Sequence, residues 1–561
     1  MTQTRLKLPS WLARPAVWVG GLLLAGFLLR LASAHLHWNW FDAQFPSTWG
    51  GSKIDLSQDG TQYIQQADPG TWNSLPFRDW DERPFFRPPL ASYYFVALFR
   101  LFHFDRLAVS AVQSLVALAA YLLAYLLAAR LLGRRIGLCT LALLAVHPVL
   151  MFEDTSFEDS VPGMLLVSAT MLAALWAGRG PSSRWFLPGL AAGLAMLARP
   201  NLALLAGGLL LLALFQARTA RFRRLVAFSL PVAFLVLPVA LHNYEASGRL
   251  VPICDTTGQN LYWGNNPFPD HRQSVQGYWD IREVDFGSPG MILVNGLRER
   301  SGASASDSAY LAGAVAFVTS EPRRALLGLV EKAWRHLSNH EIPRNRDFHR
   351  LRATNLFWRT PLPPFSIVLG LALLGLRGMD RRQAFLLLLP WLAVFVSEVL
   401  FFNASRYRAL ALPFLIPPAC MGVANLVMPL LRERRLRPLI AGLGVLVPFF
   451  LLGQTAVAEK ERTGDLAVDH FKAAMLESYA AADGDWRRFS DERFRRNLQE
   501  ARRLDPDNLD AFSVEQKMLI RDGRSAEVRD NIRARRERCR PGEWLCQEVC
   551  DYLALRAAAQ P

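Results

Sequence analysis

Apolar positions in this chain gather into long blocks separated by short hydrophilic gaps, as at Ala16–Ala34 and Leu439–Leu452. Several soluble cores would need them spread more evenly, whereas a bilayer-crossing helix needs about 20 consecutive apolar residues. The pattern predicts an all-α polytopic membrane protein with about 11 transmembrane helices. They are expected near 16–34, 105–130, 136–151, 161–178, 185–198, 201–217, 225–242, 361–377, 383–402, 409–430 and 439–455. The fifth and sixth are short and meet at Ala198-Arg199-Pro200-Asn201, so the two also read as one hairpin. The first reads as a retained span, because Trp38, Trp40 and Phe41 follow it where a signal peptide would carry small residues.

Three hydrophilic regions interrupt the blocks. Residues 35–88 are rich in Pro, Gly and aromatics and read as a loop suited to a membrane interface. Residues 243–360 form a second large loop; within it 321–352 is helical and basic, which fits either an interfacial helix or a solvated face. The tail, 456–561, is helix-rich. Within it, Phe494 to Asn531 resembles a helix–turn–helix repeat of the tetratricopeptide kind; a free-standing stack needs about three such units and one or two are visible, so a small helical module packed on the membrane domain is expected. The expected organisation is therefore a membrane domain over 1–455 and a C-terminal extracytoplasmic helical domain over 456–561.

Composition narrows the class. The chain has 561 residues, 52% of them hydrophobic and 20% charged, which excludes a disordered protein. Six cysteines in that length exclude a small disulfide scaffold. The formal charge of +15 is not a nucleic-acid footprint, because the arginines fall in alternate short gaps such as Arg130–Arg135, Arg218–Arg224 and Arg432–Arg437. Such gaps mark cytoplasmic loops. The gap Glu153 to Asp159 holds four acids and no base, so the N terminus is expected inside and the acidic gaps outside. Cys539, Cys546 and Cys550 then lie outside, where one bridge is permitted and one thiol is left over.

The candidate chemistry begins with Asp55, Asp59, Tyr63 and Ala67, followed by Arg87-Pro88-Pro89-Leu90. A carboxylate just outside a span is placed to act as general base for an acceptor hydroxyl or amine. An arginine beside it presents a planar fork suited to a phosphate headgroup. The run D-x-x-x-Y-x-x-x-A with R-P-P-L resembles the integral-membrane glycosyltransferases of the GT-C fold. The resemblance is to the family 39 type, which includes protein O-mannosyltransferases and lipid A aminoarabinose transferases. Phe157-Glu158-Asp159, Ala198-Arg199-Pro200, the segment from His242 through Trp263 to Asn266, and Ser405-Arg406-Tyr407-Arg408 extend it over about residues 15–455.

That resemblance implies transfer of a sugar from a polyisoprenyl-phosphate donor to a lipid, glycan or protein acceptor, at the outer face of a bacterial inner membrane. Membrane lipids are the surrounding partner, and no nucleic acid is involved. It implies Asp59 as the acid that activates the acceptor, with Asp55 a rival, and Glu158 as the acid that orients the acceptor or holds a cation. Arg87, Arg199, Arg406 and Arg408 would hold the phosphate, and Tyr63 and Trp263 would stack on a sugar. No cofactor is required by this scheme, and a divalent cation is optional. Plainer roles stand beside these: Arg199 can snorkel at a span end, and Glu158 and Asp159 can offset a helix dipole. A lipid-linked glycan polymerase or ligase would share the spans and outer arginines but usually places its long loop late. A transporter would show internal repeats and buried midplane charges, and an inactive scaffold would lack the acid at Asp59.

Overall fold

The computed structural model describes residues 15–44, 85–103, 105–215, 220–267, 289–302, 306–344, 346–361, 363–457, 491–539 and 544–559, together with Arg462, Ala467, His470, Phe471 and Ala474. All regular elements among them are helical. The first half carries α1 (Pro15–Gln44), α2 (Pro89–Leu101), α3 (Arg106–Leu132), α4 (Arg134–Val146), α5 (Pro148–Glu153), α6 (Ser160–Ala177), α7 (Phe186–Ala198), α8 (Ala203–Phe215) and α9 (Arg221–Ser247). Then come α10 (Thr257–Gly264), α11 (Pro289–Ser301), α12 (Ser306–Ser320), α13 (Pro322–Arg335) and α14 (Phe348–Arg352). They lead to α15 (Phe365–Gly375), α16 (Arg381–Leu400), α17 (Ser405–Ala409), α18 (Leu412–Glu433) and α19 (Arg437–Thr455). The C-terminal region adds α20 (Asp491–Leu504), α21 (Leu509–Arg521), α22 (Ser525–Arg538) and α23 (Trp544–Ala559).

The protein is an integral, multi-pass, all-α membrane protein, but the expected count of about eleven spans is wrong. Among the described residues seven helices are long and apolar enough to cross a bilayer: α1 over Pro15–Phe41, α3, α6, α9, α16, α18 and α19. The expected spans at 136–151, 185–198, 201–217 and 361–377 fall short. Helices α4, α7 and α8 have 13 residues each and α15 has 11. At 1.5 Å per residue these reach about 20 Å or less, against a hydrocarbon core of about 30 Å. Backbone breaks shorten them more than polarity does. His147 is extended before Pro148, which starts α5. Arg199 is likewise extended before Pro200, whose 3-10 turn separates α7 from α8. A proline forces its predecessor out of the helical region, so apolar residues on either side of it do not make one span.

One apolar core joins α3, α4, α6, α7, α8, α15, α16 and α18, with Trp185 fully buried in it. Helices α15 and α18 approach backbone to backbone: a Cβ on Gly375 would meet the Pro418 carbonyl oxygen at 1.9 Å, and one on Gly422 the Leu371 oxygen at 2.1 Å. Small residues permit such contact between membrane helices. Asp105 caps α3 by accepting from the Leu107 and Ala108 N–H groups at 2.8 and 3.0 Å, and Asp380 and Gln383 form a capping box at α16.

The C-terminal helices bury their apolar faces against the rest of the chain. Phe471, Phe494, Leu498 and Ala501 share a cluster with Trp38, Phe95, Phe99 and Phe157. A second cluster joins Phe512, Val528, Val549 and Leu553 to Tyr262, Leu293 and Tyr310. Cys539 and Cys546 form a disulfide between α22 and α23, and Cys550 is left as a buried thiol.

Candidate active site

The acid-rich turn between α5 and α6 is drawn inward, and every residue from Glu153 to Asp159 is buried. Phe157 anchors it. Its ring stacks on Trp38 at 5.3 Å and meets Phe99 edge-on at 4.9 Å. Successive 3-10 bonds, Thr155 N–H to Phe152 O and Ser156 N–H to Glu153 O, close the turn.

Buried carboxylates are stable only when paired or protonated, and three of the four acids face an arginine. Asp154 accepts from Arg30 Nε at 2.5 Å. Glu158 accepts from Arg406 at 2.5 Å, joining residues 248 positions apart. Asp159 lies 3.6 Å from Arg199, whose guanidinium sits over the Tyr407 ring at 4.6 Å. Glu153 differs: it has no ion pair among the described residues, and its Oε2 is buried with no hydrogen-bond partner there. Burial, and then the Glu158 charge, push its carboxyl up from the ordinary 4.5 to about 8.

A cavity of about 20 Å³ opens against this turn, room for about one water molecule. Its walls carry Glu153, Glu158 and Glu341 opposite Arg344, Arg346 and Arg406. Arg346 donates to Ser156 Oγ and to His37 Nε2, both at 2.8 Å, over the Phe152 ring. Arg344 lies over Trp263 at 4.4 Å and Phe402 at 5.1 Å. Burial alone would raise the Glu341 carboxyl, but Arg408 at 2.9 Å and a Ser405 hydrogen bond hold it below the usual value. The pocket thus sets three arginines beside three acids, of which Glu153 is pushed up to about 8 and Glu341 is held down by Arg408.

The candidates read from sequence are distributed around this cavity. Glu158 and Arg406 line it directly. Arg199 stands one residue pair away, through Asp159. Trp263 meets it through Arg344. Arg408 is committed elsewhere, donating to the His336 and Ser338 carbonyls at 3.2 and 2.6 Å and to Glu341, and it does not line the cavity. Arg87 packs on Phe86, a neighbour of the Trp263 cluster. Asp55, Asp59 and Tyr63 lie outside the described residues. Sequence reading missed Glu153, Glu341, Arg344 and Arg346 as site residues. The signals were the all-acid gap and the Pro343-Arg344-Asn345-Arg346 run inside a stretch noted only as basic.

The Glu153 carboxyl gives a pH prediction. A folded-state value raised to about 8 from 4.5 means its stabilising contribution is complete below pH 4.5 and is lost as the pH rises through 8. Wild type is expected to lose thermal stability across that window in detergent, and Glu153→Gln to flatten the loss. Equal slopes for the two proteins would refute the assignment.

No curated protein matches this chain. Among solved structures it is similar to the oligosaccharyltransferase of Archaeoglobus fulgidus tethered to an acceptor peptide containing the NVT sequon. There the identity is 13%, the coverage 84% of this chain and 59% of that one, and the TM-score 0.39. For the apo form the values are 13%, 83%, 60% and 0.41. For the archaeal oligosaccharyltransferase AglB from the same organism, in complex with an inhibitory peptide and a dolichol-phosphate, they are 13%, 82%, 59% and 0.38. This chain spans about three fifths of the length of those solved chains. Residues 86–243, which include Arg87, Glu158 and Arg199 and end within the last turns of α9, match the family model described as dolichyl-phosphate-mannose-protein mannosyltransferase.

Proposed function

We propose that this protein is a membrane glycosyltransferase of GT-C type that moves a monosaccharide from a polyisoprenyl phosphate to a lipid, glycan or protein acceptor at the extracytoplasmic face of the membrane. The observation that carries the reading is the buried acidic turn ringed by Arg30, Arg199, Arg346 and Arg406, inside a segment similar to mannosyltransferases that use such donors. In this reading residues 1–455 form the transferase and 456–561 an extracytoplasmic helical domain. A family 39 assignment is the finer form of the same proposal.

In the proposed reaction Asp59 takes the proton of the acceptor hydroxyl or amine, and the freed electron pair attacks the anomeric carbon. The bond from that carbon to the phosphate oxygen breaks, and the polyisoprenyl phosphate leaves with the extra negative charge. In this proposal Arg406, with Arg344 and Arg346 lining the same cavity, stabilises that charge; Arg87, Arg199 and Arg408 support the surrounding frame. Preorganised donors aimed at developing charge are usually the largest single catalytic contribution. Glu158 fixes Arg406 and orients the acceptor, while Tyr63 and Trp263 offer faces to a sugar ring. Should a divalent cation be used, Glu158 and the unpaired oxygen of Glu153 are the ligands this turn offers, and the ion would add positive charge against the phosphate.

The test is transfer by the purified protein in detergent, offered a panel of polyisoprenyl phosphate monosaccharides with membrane extract as acceptor. Free polyisoprenyl phosphate is expected with at least one donor, and it should fall with Asp59→Asn while persisting with Asp55→Asn. Absence of release from every donor, together with failure to bind any donor lipid, would overturn the reading in favour of a polymerase or transporter.

A further inference from the structure

Helix α13 is amphipathic with its faces exchanged relative to a helix on a water-soluble protein. Its inward face is polar. Ala325 and Lys332 are buried, and His336 beyond its end is fully buried. The Lys332 ammonium donates to the Gly264 carbonyl and Asn265 Oδ1 at 3.0 Å and to the Phe401 carbonyl at 3.2 Å. His336 Nδ1 pairs with Glu398 at 2.8 Å. Its outward face is apolar: Leu326, Leu327, Val330 and Trp334 are 62, 58, 60 and 43% exposed. Helix α12 adds Leu311, Val315 and Val318, spaced four and three residues apart and also exposed. Two successive helices with apolar stripes turned outward form a surface that needs a cover.

The height of this surface is fixed by α19, one of the seven membrane-crossing helices. The Trp334 indole N–H donates to the Leu452 carbonyl at 2.9 Å. Asn339 donates through its side chain to the Phe450 carbonyl at 3.1 Å and through its backbone to the Gly453 carbonyl at 3.0 Å. Phe450, Leu451 and Leu452 are themselves exposed, so the outward faces of α12 and α13 continue the lipid-facing side of α19 at its C-terminal end. Arg323 and Arg324 stand in the first turn of α13. Basic residues beside a Trp- and Leu-bearing stripe are the composition of helices that lie within the headgroup layer.

We propose that α12 and α13 form an interfacial hairpin immersed in the leaflet reached by the end of α19. Leu326, Val330 and Trp334 sit at the acyl boundary, and Arg323 and Arg324 lie among the headgroups. The partner is the lipid leaflet itself. The hairpin also fastens the membrane surface to the candidate site, because Arg408, the ion-pair partner of Glu341, donates to the His336 and Ser338 carbonyls directly after α13. This inference does not depend on the proposed reaction.

The experiment places a single spin label on the full-length protein in lipid nanodiscs, in a background where the exposed native thiol is removed by Cys139→Ser. Val330→Cys and Arg323→Cys are compared, with Leu327→Cys as a second probe of the apolar face should Val330→Cys fold poorly. Relaxation by oxygen, which partitions into lipid, is read against relaxation by a water-soluble nickel chelate. Labels at 330 and 327 are expected to favour oxygen severalfold more than the label at 323. Equal, water-like values at all positions would overturn the proposal in favour of a solvated helix. Labels at 330 and 327 shielded from both reagents would overturn it in favour of a protein cover.

Discussion

Arg406→Ala is expected to lower sugar transfer by about a hundredfold to a thousandfold, the usual result of removing one preorganised donor to a developing anion, and to destabilise the protein as well. Arg406 and Glu158 are 8% and 3% exposed and bonded at 2.5 Å. Removing one member of a buried pair leaves the other charge uncompensated, at a cost of about 3–5 kcal/mol. Here the stranded carboxylate has as its neighbour a second buried acid, Glu153. The double variant Glu158→Gln, Arg406→Gln removes both charges and is expected to recover most of the lost thermal stability but none of the lost transfer. Thermal unfolding in detergent and release of polyisoprenyl phosphate, measured on the same preparations, separate the two effects. A double variant as unstable as Arg406→Ala would show that the pair is not the source of the loss. Full transfer by Arg406→Ala would remove the arginine from the reaction.

The spans that sequence reading located correctly are those whose apolar blocks carry no internal break: α1, α3, α6, α9, α16, α18 and α19 all fall on expected segments. The overcount came from measuring apolar content without measuring helix continuity. His147-Pro148 and Arg199-Pro200 are two-residue signals, yet each ends a helix. The site was partly legible because Glu158 and Arg406 are charges at the edges of apolar blocks, where each stands out individually. Their pairing was not legible, since it joins residues 248 positions apart. Arg344 and Arg346 were hidden for the opposite reason: in a basic stretch no single arginine is conspicuous. The tail was legible as a helical module packed on the membrane domain, but not the residues it meets, Trp38 and Phe157 among them, because contacts between amphipathic helices leave no mark in either partner alone. Arg30 passed unremarked inside a hydrophobic run, although a lone cation at that depth marks a buried partner.

Arg30→Met is expected to be the most destabilising single substitution among the charged positions, for reasons of both charge and hydrogen bonding. Arg30 is 1% exposed within the first span. It donates to Asp154 at 2.5 Å, to the Leu144 carbonyl at 3.0 Å and to the Ala145 carbonyl, and its guanidinium lies over the Tyr121 ring at 5.1 Å. Both carbonyls belong to the last turn of α4: Leu144 also accepts from the His147 N–H at 3.5 Å, whereas Pro148, three residues after Ala145, has no N–H to offer. One side chain therefore caps a helix end and neutralises an acid. Methionine of similar length leaves Asp154 unpaired, at about 3–5 kcal/mol, and strands the Ala145 carbonyl, at about 1–3 kcal/mol. The loss should depend on pH. Burial already pushes Asp154 up to about 6 against the pull of Arg30, and without the arginine its value rises further. A group raised in the folded state stabilises below its unfolded value and loses that contribution as the pH rises, so the variant should approach wild type in acid and fall furthest behind at alkaline pH. Asp154→Asn placed on Arg30→Met should remove this pH dependence yet recover only part of the stability, because the Ala145 carbonyl stays uncapped. Arg30→Lys should fall between, since an ammonium pairs with Asp154 but cannot span acid and carbonyls with a planar fork. Thermal unfolding of the four proteins across pH decides the matter: an Arg30→Met protein as stable as wild type at every pH would mean that the first span is held by its apolar contacts alone.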